Sequence, residues 1–187
     1  KRPEDLMEEV ARLSGYNHIP TTHPVSQVVA KGMTKTHQAR EAARQVLAGW
    51  GFSEIITYSF IGDDACDKLL LPNDDPRRQT VSILNPLTED QNVMRTSLLP
   101  GLLVTMLKNS TQRNENLKIY ELGKVFFKNS QQELPDEVEM ISGLWTGARC
   151  DQSWHAKKES VDFYDVKGAV EGLCAGLNFN NVRFQAP

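Results

Sequence analysis

Asp5, Glu8 and Glu9, in the stretch DLMEEVARLSGYNHIP, stand at i, i+3 and i+4, which places their carboxylates on one side of a helical turn. Such a cluster has two physical readings. Hard oxygen ligands suit Mg2+, which keeps part of its water shell, so one or two direct carboxylates and a third through water suffice. Equally, Asp5 followed by Glu8 is a capping-box spacing, and acidic side chains at a helix start are favoured by the macrodipole. Spacing alone favours the cap, because acidic first turns are commonplace.

The remaining reactive residue types offer less. Arg95, in VMRTSLLPG, precedes a helix start and invites a phosphate, yet an ion pair is the commoner fate of such an arginine, and it stays unassigned. His18, His23, His37 and His155 show no paired ligand spacing and read as loop or surface residues. Cys66, Cys150 and Cys174 are odd in number and far apart, without a CxxC pair. This argues against a disulfide framework or a zinc site and fits a reducing cytoplasm. No serine or cysteine has a recognisable partner for nucleophilic catalysis. Trp145 and Trp154 flank TGARCDQS; each can stack a base or fill a core, and Trp145, on a strand, is read as core.

These residues depend on elements that position them. Leu6, Val10 and Leu13 recur at helical spacing until Gly15 and Pro20 break the pattern. Residues 21–34 carry Pro24 and Gly32 without a period and read as a linker. Ala39, Ala42, Ala43, Val46, Leu47 and Trp50 predict the clearest helix, with Arg40, Arg44 and Gln45 turned away. EIITYSFI and TVSILNPL predict short strands. RTSLLPGLLVTMLKNS predicts a helix capped by Thr96 or Ser97, with Leu99, Leu102, Leu103 and Met106 on one face. LKIYELGKVFF and EVEMISGLWTG predict an antiparallel hairpin. The second strand is apolar on both faces and is expected to be central in its sheet. VDFYDVKGAVEGLCAGL predicts a final helix capped by Asp162, with Phe163, Val166, Val170, Leu173, Cys174 and Leu177 as its stripe. Strand-like NVRFQ closes the chain. Hairpin strands with helices on one side imply an α+β fold and a mostly antiparallel sheet.

Composition bounds the function. The 187 residues suit one full domain with appendages. With 40% hydrophobic and 24% charged residues and a net charge of −3, the chain has ordinary globular composition and no general attraction for nucleic acid or anionic membranes. No run approaches the roughly 20 apolar residues of a membrane span. The first residue is not methionine, and the ends read as those of a segment of a larger polypeptide.

Five ordered blocks, EEVARLSGYNHIP, GFSEIITYSFI, NPLTEDQNVMRTSLLPGLL, LKIYELGKVF and DFYDVKGAVEGL, together resemble the β chain of bacterial phenylalanyl-tRNA synthetase. The resemblance implies an α+β, class II aminoacyl-tRNA synthetase-like fold, an antiparallel sheet flanked by helices. It divides the chain into the end of a small helical domain (1–20), a linker (21–35) and a catalytic-like class II domain (36–187), truncated at its C-terminus. It implies a partner α chain that holds the aminoacylation site, in an assembly of two α and two β chains in the cytoplasm that uses ATP and binds tRNA. Direct tRNA contact by this segment is left unassigned. The helix over 36–50 would correspond to the first signature motif, and its face bearing Arg40 and Arg44, with the following strand, is expected to meet the α chain.

Family motifs also imply a loss of chemistry. Class II enzymes place an arginine at the end of the first strand of their second motif, where a bidentate guanidinium clamps phosphate and carboxylate. YELGKVFFKN places Phe127 there. Lys128, one residue out of register, points to the opposite strand face. No glycine-rich third motif is visible. The resemblance therefore implies a non-catalytic copy, the alternative being an independently active synthetase-like ligase. Finally, it reverses the reading of the acidic turn: Asp5, Glu8 and Glu9 match positions assigned as Mg2+ ligands, with one further aspartate upstream.

Overall fold

The fold is that of a computed structural model, described over residues 2–25, 32–129, 131–150, 153–154 and 159–185. The chain divides into two compact units, Lys1–Met33 and Thr34–Pro187. His155 lies outside the described residues.

In the first unit, helix α1 spans Pro3–Ser14. Pro3 suits the first helical position, where no donor is needed. Gly15, at φ 93°, ends the helix and leads into a short 3-10 turn, Tyr16–His18. Leu6, Val10 and Leu13 keep the expected helical spacing, yet all three are exposed.

The second unit runs through α2 (Lys35–Gly49), β1 (Ser53–Glu54), β2 (Phe60–Ile61), α3 (Ala65–Lys68), β3 (Val81–Ser82), β4 (Val93–Met94), α4 (Leu99–Thr111), β5 (Leu117–Phe127), β6 (Asp136–Thr146) and α5 (Phe163–Gly176). Among the described residues the strands form two three-stranded sheets, β1-β5-β6 and β2-β4-β3. The hairpin β5–β6 is antiparallel from Leu117 opposite Thr146 to Phe127 opposite Asp136. β1, however, pairs with β5 in parallel, so the first sheet is mixed where an antiparallel one is expected. β1 ends at Glu54 and β5 begins at Leu117, a connection long enough for the crossover that parallel neighbours need.

Helices α2 and α5 cover one side of the hairpin. Leu47, Phe52, Tyr120 and Ala169 form the buried cluster, with Leu122, Trp145 and Leu173 packed against it. Trp145 meets Phe52 edge-on at 5.7 Å between ring centroids, in agreement with its reading as core. α5 comes close to α2 because Gly168 and Gly172 leave room for the Trp50 indole; a Cβ at Gly172 would stand 2.7 Å from Trp50 Nε1. Asp162 caps α5 as expected, accepting from Asp165 N at 3.0 Å.

Several expectations are corrected. EIITYSFI is not one strand but an extended segment that leaves one sheet at β1 and joins the other at β2. β6 is an edge strand among the described residues, not a central one, and Val138, Met140 and Ile141 remain partly exposed. Neither Thr96 nor Ser97 is the N-cap of α4: Leu98 is, while Ser97 Oγ accepts from Leu99 N at 3.2 Å and Thr96 donates to Arg77 O at 2.7 Å. Along α5, Phe163 is 70% exposed, whereas Asp165 and Ala169 are buried, so the buried face lies beside the expected stripe. NVRFQ contains no strand among its described residues.

Candidate functional site

Asp5 is the third helical residue of α1, and its Oδ2 accepts from Arg2 N at 2.9 Å. The cap is therefore made by Arg2 and Asp5, not by Asp5 and Glu8. Glu9 pairs with Arg12 one turn on. Among the described residues no group of three or more His, Cys, Asp or Glu side chains is arranged to hold a metal ion. As α1 stands, one carboxylate is committed to a cap and another to a guanidinium, so these three residues do not by themselves fit a Mg2+ centre.

Alternation along β5 sends Ile119, Glu121, Gly123, Val125 and Phe127 to the side away from Tyr120. That side holds a buried polar cluster. Arg95 and Glu121 are 4% and 2% exposed, and Arg95 Nη1 donates to Glu121 Oε1 at 2.7 Å. Arg95 Nε also donates to Lys124 O at 2.9 Å. Thr57 sits between the charges: its hydroxyl donates to Glu121 Oε2 at 2.7 Å and accepts from Arg95 Nη1 at 3.1 Å. Its amide donates to Glu121 Oε1 at 3.3 Å. Two glycines make the cluster possible. A Cβ at Gly123 would overlap the Arg95 guanidinium, and one at Gly101, in the first turn of α4, would overlap the Thr57 hydroxyl. Arg95 is thus the ion-paired arginine that sequence statistics favour, and its charge is spent inside the protein. Phe127, half-buried at the loop end of the hairpin opposite Asp136, brings no guanidinium to this face.

The same cluster borders an exposed apolar surface. Ile56, Tyr58 and Phe60 alternate outward along the extended segment, 91%, 75% and 39% exposed, while Thr57, Ser59 and Ile61 turn inward. With Pro100, Gly101 and Val104 of α4 they line a groove of about 770 Å³. Asp64, Lys68, Asp90 and Lys108 also line it, and an apolar floor with charged groups around it is the anatomy of a protein-binding surface.

Arg40 and Arg44, on the helix face expected to meet the α chain, each pair within their own unit. Arg40 reaches Glu139 on β6 at 2.8 Å, and Arg44 is held by Glu54 at 2.9 Å and Glu41 at 2.7 Å. Both guanidiniums are therefore tied to carboxylates of their own unit. The Arg44 hydrogen bonds hold the Glu54 carboxyl below its ordinary pKa, against the opposing effect of burial. Burial, with the neighbouring Glu54 charge, pushes the Tyr120 phenol up.

A family model described as the phenylalanyl tRNA synthetase beta chain CLM domain matches residues 19–187. The chain belongs to this family. The β subunit of the phenylalanine–tRNA ligase of Geobacter metallireducens is 45% identical over 98% of the chain, and that of Staphylococcus epidermidis 43% identical over 94%. The chain spans 23% and 22% of the lengths of these two relatives. Among solved structures, the pyrrolysyl-tRNA synthetase PylSc of Desulfitobacterium hafniense superposes with a TM-score of 0.56 at 15% identity, over 95% of this chain and 52% of that one. At that identity the likeness speaks for the synthetase fold alone.

Sequence reading singles out Arg95 without assigning it and misses its partners. Glu121 carries the one available signal: a carboxylate between Ile119 and Val125 on a face that is otherwise apolar. Thr57 has none, because a threonine in a β-rich run is unremarkable.

Proposed function

We propose that this chain is the non-catalytic, synthetase-like portion of a phenylalanine–tRNA ligase β subunit. In this reading it supports an α subunit, two of each in the assembly, that joins phenylalanine to its tRNA in an ATP-dependent reaction in the cytoplasm. One observation carries it: the buried guanidinium on the Glu121 side of the hairpin, Arg95, is neutralised by Glu121, and the position where a phosphate clamp is expected holds Phe127. A carboxylate-bound arginine with no access to solvent has nothing left to offer a triphosphate. The groove lined by Ile56, Tyr58 and Phe60 is the surface offered to the α subunit.

The test uses the full-length β subunit and its cognate α subunit. The expected outcome is a stoichiometric complex that Tyr58→Ala weakens by about tenfold or more, since truncating a central aromatic is the change that costs most at an interface. Phenylalanine-dependent pyrophosphate exchange by the β subunit alone overturns the non-catalytic reading.

The acidic turn enters this proposal only as part of a larger site: Asp5, Glu8 and Glu9 contribute to Mg2+ binding together with oxygen ligands supplied from outside α1. A Mn2+ titration of the full-length subunit and of its Glu8→Ala, Glu9→Ala variant checks this. Equal affinity of the two proteins removes it.

A further inference from the structure

We propose that Thr57 is a positioning residue for the partner-binding stripe, and that the Arg95–Glu121 pair acts on partner binding through it. This rests on the reading of the Ile56, Tyr58 and Phe60 surface as the one that meets the α subunit.

The backbone between the two sheets poses a specific problem. Ile55 N donates to Tyr120 O at 2.8 Å, the last ladder bond to β5. The next is Arg95 N to Ser59 O at 2.9 Å, after which Phe60 and Ile61 pair with β4. Among the described residues, no backbone–backbone hydrogen bond joins residues 56–58 to a neighbour. An extended span without a ladder has no fixed face. Here side chains replace the ladder: Glu121 accepts from both the amide and the hydroxyl of Thr57, and Arg95 donates to that hydroxyl.

Residue alternation converts this inward tie into an outward display. With Thr57 drawn in, Ile56 and Tyr58 on either side of it must project to solvent. α4 reinforces the arrangement from the other side, because Gly101 lets the Thr57 hydroxyl lie where any larger residue would collide. A buried ionic group is a poor source of stability compared with well-packed apolar residues, and its best-attested use is to specify one arrangement among several. The stripe is the arrangement specified here, so the α subunit meets it without an ordering cost at binding.

Thr57→Val keeps the β-branched shape and removes the hydroxyl; Thr57→Ser keeps the hydroxyl. Both are made in the full-length β subunit, and the dissociation constant for the α subunit is measured beside the melting temperature of the free β subunit. Thr57→Val is expected to weaken association about tenfold, Thr57→Ser by no more than about twofold, and Thr57→Val to add little once Tyr58→Ala is present. Unchanged affinity in Thr57→Val, with Tyr58→Ala still weakening the complex, overturns the positioning role and leaves the stripe as the interface. If Tyr58→Ala has no effect, the stripe reading falls and this inference falls with it. Should Thr57→Val not fold, Glu121→Gln, which keeps the shape and removes the charge, is judged by the same two outcomes.

Discussion

The two sides of β5 are built on opposite principles. On one, Tyr120 and Leu122 pack with Leu47, Phe52, Ala169 and Trp145, and a cleft of about 260 Å³ remains among these side chains. On the other, Glu121 is fixed by Arg95 and Thr57 with every buried polar side-chain atom among the described residues partnered. The apolar side is non-directional: it rewards any arrangement that removes area from water, and a loosely filled layer tolerates change. The polar side rewards one geometry, because a charge in a low dielectric is costly as soon as its partner moves. Both sides contribute cohesion, since Ile119 and Val125 are buried beside Glu121, and the Glu121 side adds specificity.

Removing one partner on each side tests this contrast most directly. Glu121→Ala strands the buried Arg95 and is expected to destabilise by about 3–5 kcal/mol. Leu47→Ala, beside the existing cleft, is expected at the low end of the core range, about 2–3 kcal/mol, because its surroundings have room to relax. Urea unfolding followed by tryptophan fluorescence reads both, since Trp50, Trp145 and Trp154 all lie in the second unit. Equal midpoints for the two variants would erase the distinction.

The same contrast explains what sequence reading reaches. α2, α5 and the β5–β6 hairpin are legible as elements because their apolar residues repeat at 3.6 or 2, although the buried face of α5 lies beside the stripe that its period marks. The division of EIITYSFI between two sheets is not legible, because the same alternation serves a continuous strand or a crossing segment. Only Glu121, 64 residues away from Thr57, decides between them. The edge position of β6 is hidden for a related reason. Val138, Met140 and Ile141 have the composition of a central strand, and strand composition does not say how many neighbours are present. The acidic turn shows the limit in the other direction: the spacing of Asp5, Glu8 and Glu9 is correct for a helix face, but which carboxylate caps and which pairs depends on Arg2 and Arg12.

The smallest expected effect concerns the link between α2 and β6. Helical spacing turns Arg40 and Arg44 away from the apolar stripe, which suggests a surface free for a partner, yet a sheet wider than the helix leaves carboxylates within reach of that face. Arg40 finds Glu139, 99 residues away, and each side chain is 34% exposed. A half-exposed pair of this kind couples by about 0.2–1 kcal/mol, since water screens the attraction and both side chains lose freedom. A double-mutant cycle with Arg40→Ala and Glu139→Ala, read by urea unfolding, is expected to return a coupling within that range and to leave association with the α subunit unchanged. A large loss of association on Arg40→Ala alone would move the partner surface from the Ile56–Tyr58–Phe60 groove to α2. The cluster around Glu121 would then stabilise the sheet without organising an interface, and the contrast between the two sides of β5 would be one of energy only.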